Sequence, residues 1–240
     1  YGAKLESINV TEPESGEYKV EQPITFEVTY NENVYGPLAV ELTAETAPVL
    51  QIKFGEGEVK TAEFSSVNGN KITYTYTIQD EDYGTLTIES YKGTVYNSEA
   101  IGTEIDTTVT GETLGGNEIV ADNVIPKVEY EYSRLEIEDE SNKLTIAFKI
   151  TDENFAATTL TDPSQLTIEV NGTEIDENVE AKFTSIEDIE NGKRFVLELS
   201  KIALSGSGAI SVLVPANVAT DTAQNANISK TLSVGYDVSI

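Results

Sequence analysis

The residues of this chain that could do chemistry are carboxylates. Acidic and amide side chains gather at Asp80-Glu81-Asp82, at Asp122-Asn123, at Asp152-Glu153-Asn154 and at Asp221. Oxygen donors of this kind suit a hard cation such as calcium, which takes about 6–8 oxygen ligands from carboxylates, amides and backbone. Few other chemistries are open to the chain, because it contains no Cys, His, Met or Trp. Without Cys there is no disulfide framework, thiolate nucleophile or thiolate zinc site. Without His there is no histidine-dependent triad and no imidazole ligand. Glycosidase chemistry needs only two carboxylates, but nothing in the sequence resembles such a pair set in long active-site loops, and an enzyme is not expected.

Aromatic side chains on loops are the second kind of candidate. Tyr83, Tyr91 and Tyr96 are expected on loops, where they could support binding of a glycan or a protein. Tyr74 and Tyr76 alternate with Ile72 and Ile78 and are expected in a core, as are Tyr130 and Tyr132.

Charge narrows the partners. The 240 residues carry 42 acids against 15 Lys and Arg, a formal charge of −27. Nucleic acid is not an expected partner, because phosphate backbones are bound by basic patches. No apolar run approaches the ~20 residues of a spanning helix, and anionic lipid repels such a surface, so no membrane insertion is expected. The chain starts at Tyr1 without a recognisable targeting signal, and is read as a piece of something longer.

The elements that must position these residues are strands. Ile24, Phe26, Val28 and Tyr30 alternate with Thr25, Glu27 and Thr29; Leu144, Ile146, Phe148 and Ile150 alternate with Thr145, Ala147 and Lys149. The runs around Leu50, Ile72, Leu86, Leu166, Phe195 and Ile210 repeat the theme. Side chains of a strand point alternately to its two faces, so each run has one apolar and one wet face, as in antiparallel sheets. Helical periodicity is nearly missing; only Asp162 to Gln165 and Ile186 to Ile189 could form single turns. The fold is expected to be all-β.

Turn signals at Asn68-Gly69, Tyr83-Gly84, Asn171-Gly172 and Asn191-Gly192 come at the short spacing of sandwiches. Sandwiches of about 100 residues favour two domains, with the boundary in the stretch from Gly111 to Pro126, at 1–121 and 122–240. The halves carry 21 acids with 6 bases and 21 acids with 9 bases, so acidity is not confined to a tail.

Several of these segments carry a resemblance. Phe26-x-Val28-x-Tyr30-Asn31-Glu32-Asn33-Val34, then Ala47-Pro48-x-Leu50-x-Ile52-x-Phe54-Gly55, then Lys71 to Ile78 and Asp80-Glu81-Asp82, resemble bacterial immunoglobulin-like repeats in composition and order. In the second half, Ile150-Thr151-Asp152-Glu153-Asn154-Phe155, Asn191 to Phe195, and Asp221-Thr222-Ala223-Gln224-Asn225-Ala226-Asn227 resemble a related repeat. Gln224 stands where the family has Gly, and an extra stretch runs from Tyr35 to Thr46. The resemblance implies two tandem immunoglobulin-like sandwiches in a large secreted or wall-attached protein of a Gram-positive bacterium. Such modules serve as stalks, adhesins or spacers beside other domains of the same chain, or as S-layer segments.

In an immunoglobulin-type topology the E–F loop of the first domain (Asp80 to Asp82) and the linker (Asp122, Asn123) would lie near the B–C loop (Asp152 to Asn154) and the F–G loop (from Asp221) of the second. Calcium at that junction is therefore expected, with Asp80, Asp82, Asp122, Asn123, Asp152, Asn154 and Asp221 as its candidate ligands. Carboxylates brought together without a cation would repel one another. Isopeptide cross-links of wall proteins would need a Lys beside an Asn, and Lys4 with Asn97, or Lys127 or Lys149 with Asn225 or Asn227, are the pairs to examine.

Overall fold

A computed structural model describes residues 1–138 and 141–239. The chain is all-β with several sheets, and it divides into two compact units, Tyr1–Asn123 and Val124–Ile240. No helix among the described residues is long and apolar enough to cross a membrane.

The first unit contains β1 (Leu5–Glu12), β2 (Gly16–Tyr18), β3 (Pro23–Tyr30), β4 (Val49–Phe54), β5 (Val59–Asn68), β6 (Lys71–Thr77), β7 (Gly84–Tyr96), β8 (Gly102–Asp106), β9 (Leu114–Gly116) and β10 (Ile119–Ala121). Hydrogen bonding links them in the order β2-β10-β7-β4-β5-β6-β3-β1-β9, with β8 on β7. All pairings are antiparallel except β1 with β9 and β2 with β10. The part built from β1, β3, β5, β6 and β9 curls into a half-barrel. The period of two decides which side chains go inside: Ile24, Phe26, Val28 and Tyr30 of β3 are fully buried, and across the ladder Phe26 faces Tyr74 and Val28 faces Ile72 of β6.

At the centre of this core three phenols meet. The Tyr30 and Tyr91 hydroxyls are 2.9 Å apart and those of Tyr74 and Tyr91 3.2 Å, while Tyr74 donates to the Pro48 carbonyl at 2.6 Å. Buried hydroxyls need such partners, since an unpaired one forfeits its hydration without return. Tyr91 is thus a core residue of β7, not a loop residue as its sequence setting suggests, and Tyr96 also lies on β7, half-buried. The physical reason is that β7 continues through 13 residues, and Tyr91 and Val95 both fall on its buried face.

The second unit contains β11 (Lys127–Glu136), β12 (Asn142–Thr151), β13 (Phe155–Thr158), β14 (Thr167–Val170), β15 (Thr173–Glu174), β16 (Glu180–Ile189), β17 (Gly192–Ile202), β18 (Ser207–Val214), β19 (Ala219–Asp221) and β20 (Lys230–Asp237). They form a four-stranded sheet β11-β12-β17-β16, a four-stranded sheet β15-β14-β18-β20 and the pair β13-β19. One core draws on both larger sheets: Ile146 and Phe148 of β12 and Phe195 and Leu197 of β17 pack with Ile210 and Val212 of β18 and Leu232 of β20. Phe148 and Phe195 stack with centroids 5.1 Å apart.

Two expectations are corrected here. Ile186 to Ile189 form no helical turn; they extend β16, where Ile186 pairs with Phe195 and Ile189 with Gly192, because ladder bonds satisfy the backbone that an isolated turn would leave open. Tyr130 and Tyr132 are exposed rather than core, since β11 is a sheet edge and a register shift between them breaks the alternation. Asp162 to Gln165 does form a 3-10 turn, closed by a capping box in which the Asp162 carboxylate accepts from the Ser164 amide at 2.8 Å. One short helix, α1 (Thr107–Thr110), was not visible in the periodicity.

Candidate metal centre

In the second unit, Asp152 directly follows β12 and Asp221 ends β19. The pairing of β13 with β19 sets Phe155 opposite Asp221, and the Thr222 amide donates to the Asn154 carbonyl at 2.9 Å. The two loops are therefore tied together by backbone. Asp221 is fully buried; its carboxylate accepts the Asn225 backbone N–H and the Asn225 side-chain amide, both at 2.8 Å. The Asp152 carboxylate accepts the Asn154 N–H at 2.8 Å, and the Asp152 N–H donates to the Asn191 carbonyl at 2.9 Å. Asn227 fixes the far side of the loop, accepting from the Val218 and Ala219 amides at 2.9 Å and donating to the Pro215 and Ile228 carbonyls.

In the first unit, Asp122 follows β10 and is held by its backbone, whose N–H donates to the Tyr18 carbonyl at 2.9 Å. The next residue is a clasp. The Asn123 carbonyl oxygen accepts from the Val20 amide at 2.6 Å, and its NH2 reaches the carbonyls of Gln79 at 3.0 Å, Asp80 at 3.4 Å and Asp82 at 3.1 Å.

Asp122 in the first unit and Asp152 and Asp221 in the second are each buried. Buried aspartates could hold a metal ion. Carboxylate oxygens of this kind suit a hard cation such as calcium.

The other acidic candidates go elsewhere. Asp80 is exposed. Asp82 is buried, but its carboxylate faces the Tyr76 hydroxyl and the Gln79 amide, both donating at 2.8 Å. Burial, aided by that carboxylate, pushes the Tyr76 phenol well above its ordinary range. Asn123 acts in the first unit as the clasp just described, and the backbone N–H of Asn154 donates to the Asp152 carboxylate. Asn225, offered by the sequence as part of a loop pattern and as an isopeptide candidate, instead holds the Asp221 carboxylate; its position four residues after Asp221 is the signal for that role.

Among the aromatic candidates, Tyr83 is 52% exposed. It enters β7 through Gly84, whose φ of 100° and 3.0 Å approach of a would-be Cβ to the Gly55 Cα require glycine. Tyr91 is lost to the core. The amides proposed for isopeptide bonds are engaged otherwise: Asn97 accepts from the Glu99 and Ile101 amides, Asn225 and Asn227 serve the Asp221 loop, and the Lys149 ammonium lies 3.4 Å from Glu129.

No protein-family model matches the chain, and no curated protein is significantly similar to it.

Proposed function

We propose that the chain is a non-catalytic structural segment, a stalk or spacer formed of two immunoglobulin-like sandwiches in a larger bacterial surface protein, with calcium held by Asp122, Asp152 and Asp221. The carrying observation is that Asp122, Asp152 and Asp221, acidic residues far apart in sequence, are all buried. A cation shared by these residues would cross-link three segments distant in sequence and restrain the chain through Asn123 and Val124, which is a mechanical role. The sandwich reading is supported in the second unit by two four-stranded antiparallel sheets that feed one core. The surface location rests on the sequence resemblance, and the absence of Cys and His leaves little machinery for turnover. The other domains of the parent chain would be its neighbours.

The test is calorimetry with calcium and with chelator. A ligand bound only by the folded state adds about 2.7 kcal/mol at a hundred times its Kd, so millimolar calcium should raise the Tm and Asp122→Asn should remove most of the rise. Superimposable melting curves in calcium and chelator would sink the calcium reading. A second reading, a glycan- or protein-binding module, keeps one favourable observation in the exposure of Tyr83. It requires a ligand signal that Tyr83→Ala abolishes.

A further inference from the structure

In the first unit the opening strands lie beside the closing strands and run parallel to them. Ile8, Asn9 and Val10 of β1 stand opposite Leu114, Gly115 and Gly116 of β9, and Gly16, Glu17 and Tyr18 of β2 stand opposite Ile119, Val120 and Ala121 of β10. Between the two ladders the stitching continues. The Asn117 N–H donates to the Val10 carbonyl at 3.0 Å, and its side-chain NH2 donates to the carbonyls of Thr11 at 3.2 Å and Pro13 at 2.7 Å. The Glu118 N–H donates to the Ser15 hydroxyl at 2.9 Å, and the Gly16 N–H to the Glu118 carbonyl at 3.0 Å. Past β10, the Asp122 N–H and the Asn123 side chain hold Tyr18 and Val20. Ile8, Val10, Ile119 and Ala121 are buried, which keeps water from the bonds beside them.

Glycine is the condition for this approach. A Cβ on Gly116 would press into the Val10 carbonyl oxygen and one on Gly115 into the Asn9 side chain, and Gly116 has φ 76°. The second unit has nothing comparable: β11 pairs with β12 and β20 with β18, and among the described residues no ladder joins its first strand to its last. Parallel pairing of first strand to last governs how tension acts. Tension along the chain draws β1 toward its N-terminal end and β10 toward its C-terminal end. These pulls oppose each other along the strand axes, so the cross-strand bonds are strained together and must fail as a group. Strands drawn apart from matching ends would instead lose their bonds one at a time.

We propose that this double parallel pairing is a mechanical strap, which carries tension through the first unit in shear and sets the force at which that unit unfolds. The strap deepens the spacer reading, on which its use to the chain rests, but it needs no calcium. Single-molecule pulling of the whole chain in chelator tests it, through thiol handles at Tyr1→Cys and Val124→Cys; the chain has no other Cys. Forced unfolding reports the unfolding rate rather than equilibrium stability, so force and Tm should part company. Asn117→Ala and Gly116→Ala should lower the unfolding force several-fold more, per degree of Tm lost, than Ile52→Val in the buried core. Asn117→Ala keeps both ladders and so remains informative if Gly116→Ala does not fold. With handles moved to Tyr1→Cys and Glu112→Cys, β9 peels from β1 and β10 is bypassed, and the force should fall several-fold. Equal force on both axes, or a force that simply follows Tm in every variant, would overturn the strap. Neither result would alter the calcium melts, and superimposable melts would leave the strap standing, so the two readings fail separately.

Discussion

The side-chain oxygen of Asn123 accepts the backbone N–H of Val20 at 2.6 Å, across 103 positions of sequence. With its amide on the 79–82 loop, this one side chain joins the last residues of the first unit to two other segments of that unit. Asp122 is thereby carried on a stretch of backbone fixed on both sides.

Asn123→Ala should therefore destabilise the first unit by about 1–3 kcal/mol, the cost of leaving partly buried backbone groups without partners. Urea unfolding should show a lower midpoint at an unchanged slope, since the surface exposed on unfolding is the same. A midpoint equal to the parent's would mean that water replaces the clasp at no cost.

Burial holds the Tyr30, Tyr74 and Tyr91 phenols well above the ordinary value of 10.0, and Tyr91 is pushed further by its two phenol neighbours. Above pH 10 the unfolded chain loses these protons while the folded one keeps them, so stability should be flat below that pH and fall as pH rises beyond it. Tyrosinate absorbance should show that part of the tyrosine complement ionises only with unfolding. Tyr91→Phe, which leaves the Tyr30 hydroxyl without its partner, should cost about 1–3 kcal/mol.

On the sheet of the second unit, Glu198 lies 2.8 Å from both Lys143 and Lys182, with its side chain only 14% exposed. Hydrogen bonds from these two ammonium groups hold its carboxyl below the ordinary 4.5. Its contribution is complete above that pH and is lost as pH falls through the lower folded value. Glu198→Gln should remove about 0.5–1 kcal/mol at neutral pH, less in high salt, and should flatten the acid limb of stability against pH.

Leu38→Gly should stabilise the protein by about 0.5–1 kcal/mol, because glycine adopts the left-handed region without a Cβ penalty while paying some extra entropy when unfolded. Thermal melts would show a rise of a few degrees. A lower Tm would mean that the Leu38 side chain contributes packing beyond what its exposure indicates.

Much of the secondary structure was legible because strand periodicity is local: β3 and β12 announce themselves in four apolar residues each, and their burial follows that pattern. Where local pattern misled, a non-local fact was responsible. Tyr130 and Tyr132 alternate as core residues do, yet their strand lies at a sheet edge. Tyr91 lies among residues that resemble a loop, yet its hydroxyl is caught between Tyr30 and Tyr74.

By itself, the sequence determined that this is an all-β chain rich in carboxylates and without Cys or His, since alternation and composition are properties of residues and near neighbours. Only the tertiary structure decided which of the many acids meet. Asp221 is buried beside the 152–154 loop while Asp82 turns to Tyr76, because the first depends on the pairing of β13 with β19 and the second on the packing of the first core, and neither leaves a short-range trace. The left-handed turn at Leu38 belongs to the same class: leucine alone would not choose it, and the hydrogen bonds around it impose it.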